Sequence, residues 1–327
     1  MFSDWEDIAA PAGQGNCNVR LADNTHPLDF RIGRDHRGRY VFQLDAENLA
    51  ETAMEMPRIT GLQCELEPAC NDRSRLVLVL NHASDFRNFA LMCSGLMLAT
   101  ADLTPEQSYA GLLRSVEELH RWQEMLRRRG DKLLSRGERI GLVGELLFLR
   151  DVLAKRHGFA AAVRSWNGPE GHEQDFVVAG TIFEVKTQIV TADRMIRISS
   201  EDQLDPVQGR IVIANQGLAP LPAAEPGGCT LNSLIAEVRQ AVAGSGTGSA
   251  DILEIALLKA GYEERPEYDD ESWILVDRAF YQVAGEFPRI ERSDLRPGVE
   301  KVSYSIRVAD CTAYAISADE AFERAPR

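Results

Sequence analysis

Three charged side chains interrupt an otherwise apolar hairpin in the stretch QDFVVAGTIFEVKTQ, residues 174 to 188. With Ala179-Gly180 as a two-residue turn, Val178 pairs with Thr181, Val177 with Ile182, Phe176 with Phe183 and Asp175 with Glu184. Directly opposed side chains share a sheet face with Cβ atoms about 4.5–5.5 Å apart, and like charges so placed repel. Lys186 lies two positions beyond Glu184 and therefore on the same face, because side chains alternate along a strand. Two carboxylates and an ammonium crowd one patch, with Phe176, Phe183 and Val185 on the other. Carboxylates this close need a proton or a cation between them. A divalent metal with oxygen ligands serves, and Mg²⁺ suits a site of few carboxylates that keeps several waters. Such an ion activates bound water and stabilises charge on a phosphoryl oxygen, while Lys186 would steer the water or the phosphate. On spacing alone the plainer reading stays open: Glu184 and Lys186 as an edge-strand charge pair, Asp175 as a turn-proximal residue.

The elements that must position these residues follow from periodicity. A helix is expected from about Gly137 to Arg156, where RIGLVGELLFLRDVLAKR spreads Ile140, Leu142, Val143, Leu146, Leu147, Leu149 and Leu153 over a broad apolar surface. Glu145 sits inside that surface, and Gly141 and Gly144 would let another element pack close. After a stop at Gly158, short strands are expected near 161–166, 174–178, 181–189 and 194–198, then a buried strand at 210–215. Pro- and Gly-rich GLAPLPAAEPGGC, 217–229, reads as a linker. Two helices, LNSLIAEVRQAVA and ADILEIALLKAGY, and further strands follow. The first hundred residues read as mainly β, with GRYVFQL, GLQCELEP and SRLVLVLNH as strands. A second helical period then begins at the Thr104-Pro105 capping start, carried by Leu112, Val116, Leu119 and Met125 or Leu126. These signals predict three regions: 1–103, β-rich and without catalytic residues; 104–216, the chemical core; and 217–327, an α/β region packing on that core.

Composition limits the function. A chain of 327 residues with 44% hydrophobic and 26% charged residues is globular and holds more than one domain. No apolar run reaches the ~18 residues of a membrane span, and the acidic start MFSDWEDIAAPAGQGNC is unlike a secretory signal. A cytoplasmic protein is expected. Cys17, Cys64, Cys70, Cys93, Cys229 and Cys311 form no CxxC pair and read as reduced structural thiols, and the histidines show no metal spacing. Net charge of -14 disfavours nucleic acid on average. Two basic stretches run against it: RWQEMLRRRGDKLLSRGER, 121–139, with seven basic residues against three acidic ones, and the cluster Arg31, Arg34, Arg37 and Arg39. Either could equally be a solvated face.

The order D-F-x(7)-E-V-K after a Glu-bearing helix resembles the PD-(D/E)XK nuclease superfamily over roughly residues 137 to 215. GLVGELLFL, SWNGPEGHEQDF, FEVKT and ISSEDQLD together resemble, over most of the chain, bacterial PD-(D/E)XK motif proteins associated with restriction and anti-phage loci. The resemblance implies an α/β (α+β) fold with a restriction-endonuclease-like αβββαβ core. It implies Asp175 and Glu184 as ligands of Mg²⁺ or Mn²⁺, joined by the Val185 carbonyl, with Lys186 as the catalytic lysine. Glu145 would complete the metal shell through water, and Gln203 would support the site. Gln174 stands before the Asp where proline is common. Trp166, Asn167 and His172 read as a core aromatic, a turn residue and a surface histidine.

The expected function is Mg²⁺-dependent hydrolysis of DNA in a restriction or phage-defence system, with a partner ATPase or methyltransferase compatible and oligomeric state open. One rival is a non-cleaving nucleic-acid-binding or scaffold protein on a nuclease-like fold, against which the retention of Asp, Glu and Lys argues. The other is sugar hydrolysis by paired acids, which has no need of a lysine.

Overall fold

The computed structural model describes residues 5–13, 15–47, 54–69, 73–129, 132–168, 174–190, 194–205, 209–222, 225, 227–245 and 248–323. It is a mixed α/β protein of two compact units, Met1–Lys132 and Leu133–Arg327. The first contains β1 (Cys17–Leu21), β2 (Phe30–Asp35), β3 (Tyr40–Glu47), β4 (Leu62–Ala69) and β5 (Arg73–Leu80), then α1 (Phe86–Ala99) and α2 (Ser108–Arg129). Its strands form one antiparallel sheet in the order β1-β2-β3-β5-β4. The boundary expected near residue 103 therefore moves to Lys132/Leu133. The reason is the apolar stripe of α2: Leu112, Val116, Leu119 and Trp122 are buried, and the helix packs on α1 and β3 of its own unit. The expectation of a mainly β first hundred residues also misses α1. Its residues Phe89 to Met97 are all buried, so the segment is apolar all round and carries no amphipathic period.

The second unit opens with α3 (Arg136–Phe148), a π-helical turn over Leu149–Leu153, α4 (Ala154–His157) and α5 (Phe159–Arg164). It continues through β6 (Phe176–Val178), β7 (Thr181–Ile189), β8 (Met195–Ile198), β9 (Arg210–Leu221), α6 (Leu231–Ala243), α7 (Ser249–Lys259), β10 (Ser272–Val283), β11 (Tyr304–Arg307) and β12 (Ala315–Ile316). Five strands form a mixed sheet, β12-β10-β9-β7-β6, with β7 and β9 parallel, while among the described residues β8 pairs with β11 alone. One face of the mixed sheet, with Phe176, Phe183, Val185, Val212 and Ala214, packs against the α3 and α6 side chains. The other, with Ile182, Ile211 and Ile213, packs against Ile196, Ile198, Leu204 and Ile306.

Of the strand expected near 161–166, residues 161–164 lie in the helix α5, in keeping with the Ala-rich FAAAVR. The linker expected at 217–229 is strand as far as Leu221, because β10 supplies a full antiparallel partner and Pro220 opposes Trp273 in that ladder. Residues 217–327 are accordingly no separate region, since β10 and β12 complete the sheet that β7 and β9 begin.

Candidate active site

The hairpin has the register its sequence predicts. Val178 opposes Thr181, Val177 opposes Ile182 and Phe176 opposes Phe183. The turn takes positive φ at both central residues, 50° at Ala179 and 86° at Gly180, the type I′ geometry that matches strand twist. Pairing stops at Phe176, so Asp175 is not a ladder partner of Glu184. The next inward-facing donor on β7, the Val185 N–H, bonds instead to Asp175 Oδ2 at 2.7 Å. The same pleat turns the Val185 carbonyl toward that vacated edge. The main-chain carbonyl of Asp175 accepts from Asn167 N (2.8 Å) and Gly168 N (3.0 Å), and Val177 N donates to Ser165 O (3.1 Å). Residues 165–168 thus brace the start of β6.

Glu145 reaches the same place from α3. Ser135 caps this helix reciprocally with Glu138: Ser135 Oγ accepts from Glu138 N at 3.3 Å and Glu138 Oε2 accepts from Ser135 N at 2.7 Å. Its depth over β7 is set at Gly144, where a Cβ would lie 1.7 Å from Thr187 Oγ1. Gly141 has nothing within 4 Å of such a Cβ, so only one of the two glycines serves close packing. Gln216 Nε2 donates to Gly144 O at 2.8 Å, and Arg278 donates to Gln216 Oε1 (2.7 Å) and to Leu147 O (3.3 Å), so buried polar groups tie the helix to the sheet. On this helix Glu145 Oε2 accepts from the indole N–H of Trp166 at 2.6 Å. A Cβ on Gly168 would stand 3.0 Å from Asp175 Oδ1 and 3.1 Å from Glu145 Oε2, so the two carboxylates converge on the space that glycine leaves.

Glu184, 1% exposed, and Lys186, 15% exposed, complete the patch, with Lys186 Nζ 2.7 Å from Glu184 Oε1. Lys186 Nζ also donates to Gln203 Oε1 at 3.0 Å. Gln203 lies in a single 3-10 turn, Glu201–Leu204. The charges are unevenly matched, and the protonation equilibria register it. Burial, then the neighbouring Asp175, pushes Glu145 well above the ordinary carboxylate range, against the opposing Trp166 N–H. Burial raises Asp175 to about 6, opposed by Lys186 and the Val185 N–H. Burial alone would pull Lys186 down, but Glu184 and then Asp175 hold its ammonium above the usual lysine value.

All six residues expected to form the site thus lie in one neighbourhood: Asp175, Glu184, Val185, Lys186, Glu145 and Gln203. Among the described residues, no group of three or more His, Cys, Asp or Glu is arranged to hold a metal ion. The donors that are present are hard oxygens, a cation would relieve their mutual repulsion, and Mg²⁺ needs only one or two carboxylates with water for the rest. They fit such an ion and do not form a closed cage. Trp166 is the core aromatic expected, 3% exposed, and a ligand of Glu145 as well. Gly168 escaped sequence reasoning altogether, since it acts through the side chain it lacks. His172 and Cys70 fall outside the described residues.

The basic stretches are largely engaged within the fold. Arg31 pairs with Asp45 (3.3 Å) and Arg39 with Asp35 (2.8 Å), while Arg34 lies 4.1 Å over the Tyr40 ring. In the 121–139 run, Arg121 and Arg127 of α2 pair with Glu118 (3.2 Å) and Glu124 (3.0 Å). Arg136 and Arg139 of α3 both pair with Glu271, at 2.7 and 3.1 Å. The run is divided between the two units. No helix among the described residues is long and apolar enough to cross a membrane.

Residues 1–309 match the family described as "Putative PD-(D/E)XK family member, (DUF4420)". No curated protein matches the chain, and no solved structure does.

Proposed function

Since the chain belongs to the PD-(D/E)XK family, we propose that it is a divalent-cation-dependent deoxyribonuclease, serving restriction or anti-phage defence in the cytoplasm. The observation that carries this reading is the convergence of Asp175 and Glu145 on the Gly168 gap beside the Glu184–Lys186 pair. The succession α3, β6, β7, β8, β9 supports a restriction-endonuclease-like core. It departs from the αβββαβ order twice: β8 leaves the main sheet for β11, and a 3-10 turn stands in the place of the second core helix.

Asp175, Glu184 and the Val185 carbonyl would hold Mg²⁺ or Mn²⁺, with Glu145 acting through water. Bound there, the ion supplies an activated water and positive charge at the scissile phosphoryl oxygen. Asp175 contributes through an oriented carboxylate, one oxygen fixed by the Val185 N–H and the other turned to Gly168. Lys186 stays protonated, because its carboxylate neighbours raise it. Its role is therefore electrostatic: it donates to a phosphate oxygen as charge develops there and is no general base. Gln203 fixes the direction of that ammonium. The first unit, with its exposed Arg37, takes docking or recognition, and a partner ATPase or methyltransferase would supply target choice.

The test is cleavage of unmodified plasmid and phage DNA titrated with Mg²⁺, Mn²⁺ and chelator. Wild type should cut only with the cation, and Lys186→Ala should bind DNA without cutting. Cation-independent cutting, or cutting by Lys186→Ala at the wild-type rate, would sink this reading. DNA binding without cutting by wild type under every cation would favour the scaffold.

A further inference from the structure

We propose that Glu201 and Asp202 are positioning residues that clamp the Gln203 turn, and through it Lys186, to the segment 291–302; their consequence for cleavage rests on the nuclease reading above. Gln203 Oε1 accepts from Lys186 Nζ at 3.0 Å and from Ser199 N at 2.9 Å, so the amide oxygen is committed to the lysine and to its own turn. That turn is four residues of 3-10 helix, too short to hold its own shape. Ser200 at its start accepts from Asp202 N at 3.1 Å, which orders the first residues and no more.

Besides the burial of Leu204, a further restraint comes from far along the chain. Glu201 is 2% exposed, and its carboxylate accepts from Lys301 N at 3.2 Å and Val302 N at 2.7 Å. Two successive main-chain N–H groups can face one anion because Lys301 takes φ 57°, a left-handed conformation costly for a residue with a side chain. Such strain persists only where its surroundings enforce it. Asp202 is gripped by Arg292 as a fork, Nε to Oδ1 at 2.6 Å and Nη2 to Oδ2 at 2.9 Å. Beyond Val302, Ser303 Oγ donates to Ile198 O at 3.0 Å and β11 pairs with β8, so the strand entering the turn is held by the same segment. Neither acid reaches Lys186; both fix the turn whose glutamine does.

The lysine's environment can be read without cleavage, as the rate of Lys186 acetylation by an N-hydroxysuccinimide ester followed by peptide mass spectrometry, with exposed Lys132 as internal reference. Arg292→Asp and Asp202→Arg should each raise Lys186 labelling about 2–5-fold, the scale of an exposed ion pair. The double exchange Asp202→Arg/Arg292→Asp should return it toward wild type. Glu201→Gln, which leaves two main-chain donors poorly met in a buried place, should raise it about tenfold. If Glu201→Gln fails to fold, Arg292→Gln at a 69% exposed side chain decides instead. In single-turnover cleavage the same variants should lower the rate constant with DNA affinity unchanged. Unaltered Lys186 labelling in Glu201→Gln and Arg292→Asp, or no recovery in the double exchange, overturns the clamp. A wild type that never cuts, with labelling as expected, overturns the nuclease reading and leaves the clamp standing.

Discussion

Asp45 in the first unit and Asp175 in the second are both shielded carboxylates, yet their proton affinities are displaced in opposite directions. Asp45 is 12% exposed and accepts from Arg75, with Arg31 at 3.3 Å. Hydrogen bonding from Arg75 more than offsets burial and holds it below the ordinary carboxylate range. Asp35 behaves the same way: burial raises it, but the Arg39 and Arg37 N–H groups bring it below the usual value. In the second unit Asp175, Glu145 and Glu184 share the Lys186 ammonium, and Asp175 and Glu145 are driven upward. The first arrangement pairs each acid with its own arginine. The second keeps an excess of negative charge, which is where a cation-dependent function is sought.

Lys186→Ala carries the largest expected effect. Losing this charge-assisted donor should cost about 10³-fold in cleavage rate, on the scale of removing one transition-state hydrogen-bond donor. It should also move the pH needed for Mg²⁺-induced thermal stabilisation upward, because a cation near the carboxylates is gone. Binding of Mg²⁺ at unchanged pH in this variant would mean that Lys186 does not feel those carboxylates.

Next come two like substitutions with opposite sign. Asp45→Asn should destabilise the protein by about 2–4 kcal/mol, since two arginines lose their anion. Asp175→Asn should stabilise metal-free protein at pH 7 by about 1–3 kcal/mol while abolishing cleavage, since its amide oxygen can still accept from Val185 N. Linkage fixes the sign. Between the ordinary carboxylate value and about 6, folded Asp175 keeps a proton that the unfolded chain releases. Metal-free stability attributable to this group therefore falls as pH rises through that window and is constant above it. Urea midpoints at pH 4.5 and 7 for wild type and both variants measure this. Destabilisation by Asp175→Asn equal to that by Asp45→Asn would erase the contrast between the units.

The hairpin was legible because period-two alternation around Ala179-Gly180 admits one register, and Asp175, Glu184 and Lys186 followed from it. Glu145 was legible as a lone acid on an apolar helix. Gln203 came only from resemblance, since nothing in EDQL says that its amide meets a lysine. The ligand of Asp175 was not legible: strict pleating predicts Glu184 opposite, whereas the strand ends early and the side chain takes the Val185 N–H. Gly168 and Lys301 were hidden for a related reason, as close approach and left-handed backbone leave no pattern in residue types.

Two glycines on either side of Glu145 sharpen this point with smaller effects. Gly144→Ala places a methyl against Thr187, so α3 must lift from β7 at a cost of about 1–3 kcal/mol, with Glu145 displaced. Gly168→Ala meets the tips of Asp175 and Glu145 at 3.0 and 3.1 Å, with the Asp175 Cα next at 3.4 Å. It should leave urea stability within about 0.5 kcal/mol of wild type and weaken Mg²⁺ binding, read by thermal shift across a cation titration. Equal losses of stability in the two variants would show that Gly168 serves packing alone.

The smallest expected effect separates backbone strain from charge in the hairpin itself. Ala179 is exposed and sits at φ 50°, where a side chain is disfavoured and where asparagine before glycine is preferred in this turn. Ala179→Asn should raise the urea midpoint by an amount equivalent to about 0.5–1 kcal/mol, through relief of left-handed strain. The register of Phe176 with Phe183 is unchanged by it, and so is the Asp175–Val185 contact. Cleavage rate and Mg²⁺ dependence should therefore match wild type. A change in either would mean that turn strain is transmitted along β6 to the carboxylate, and that the tension at Asp175 has a mechanical source beside its electrostatic one.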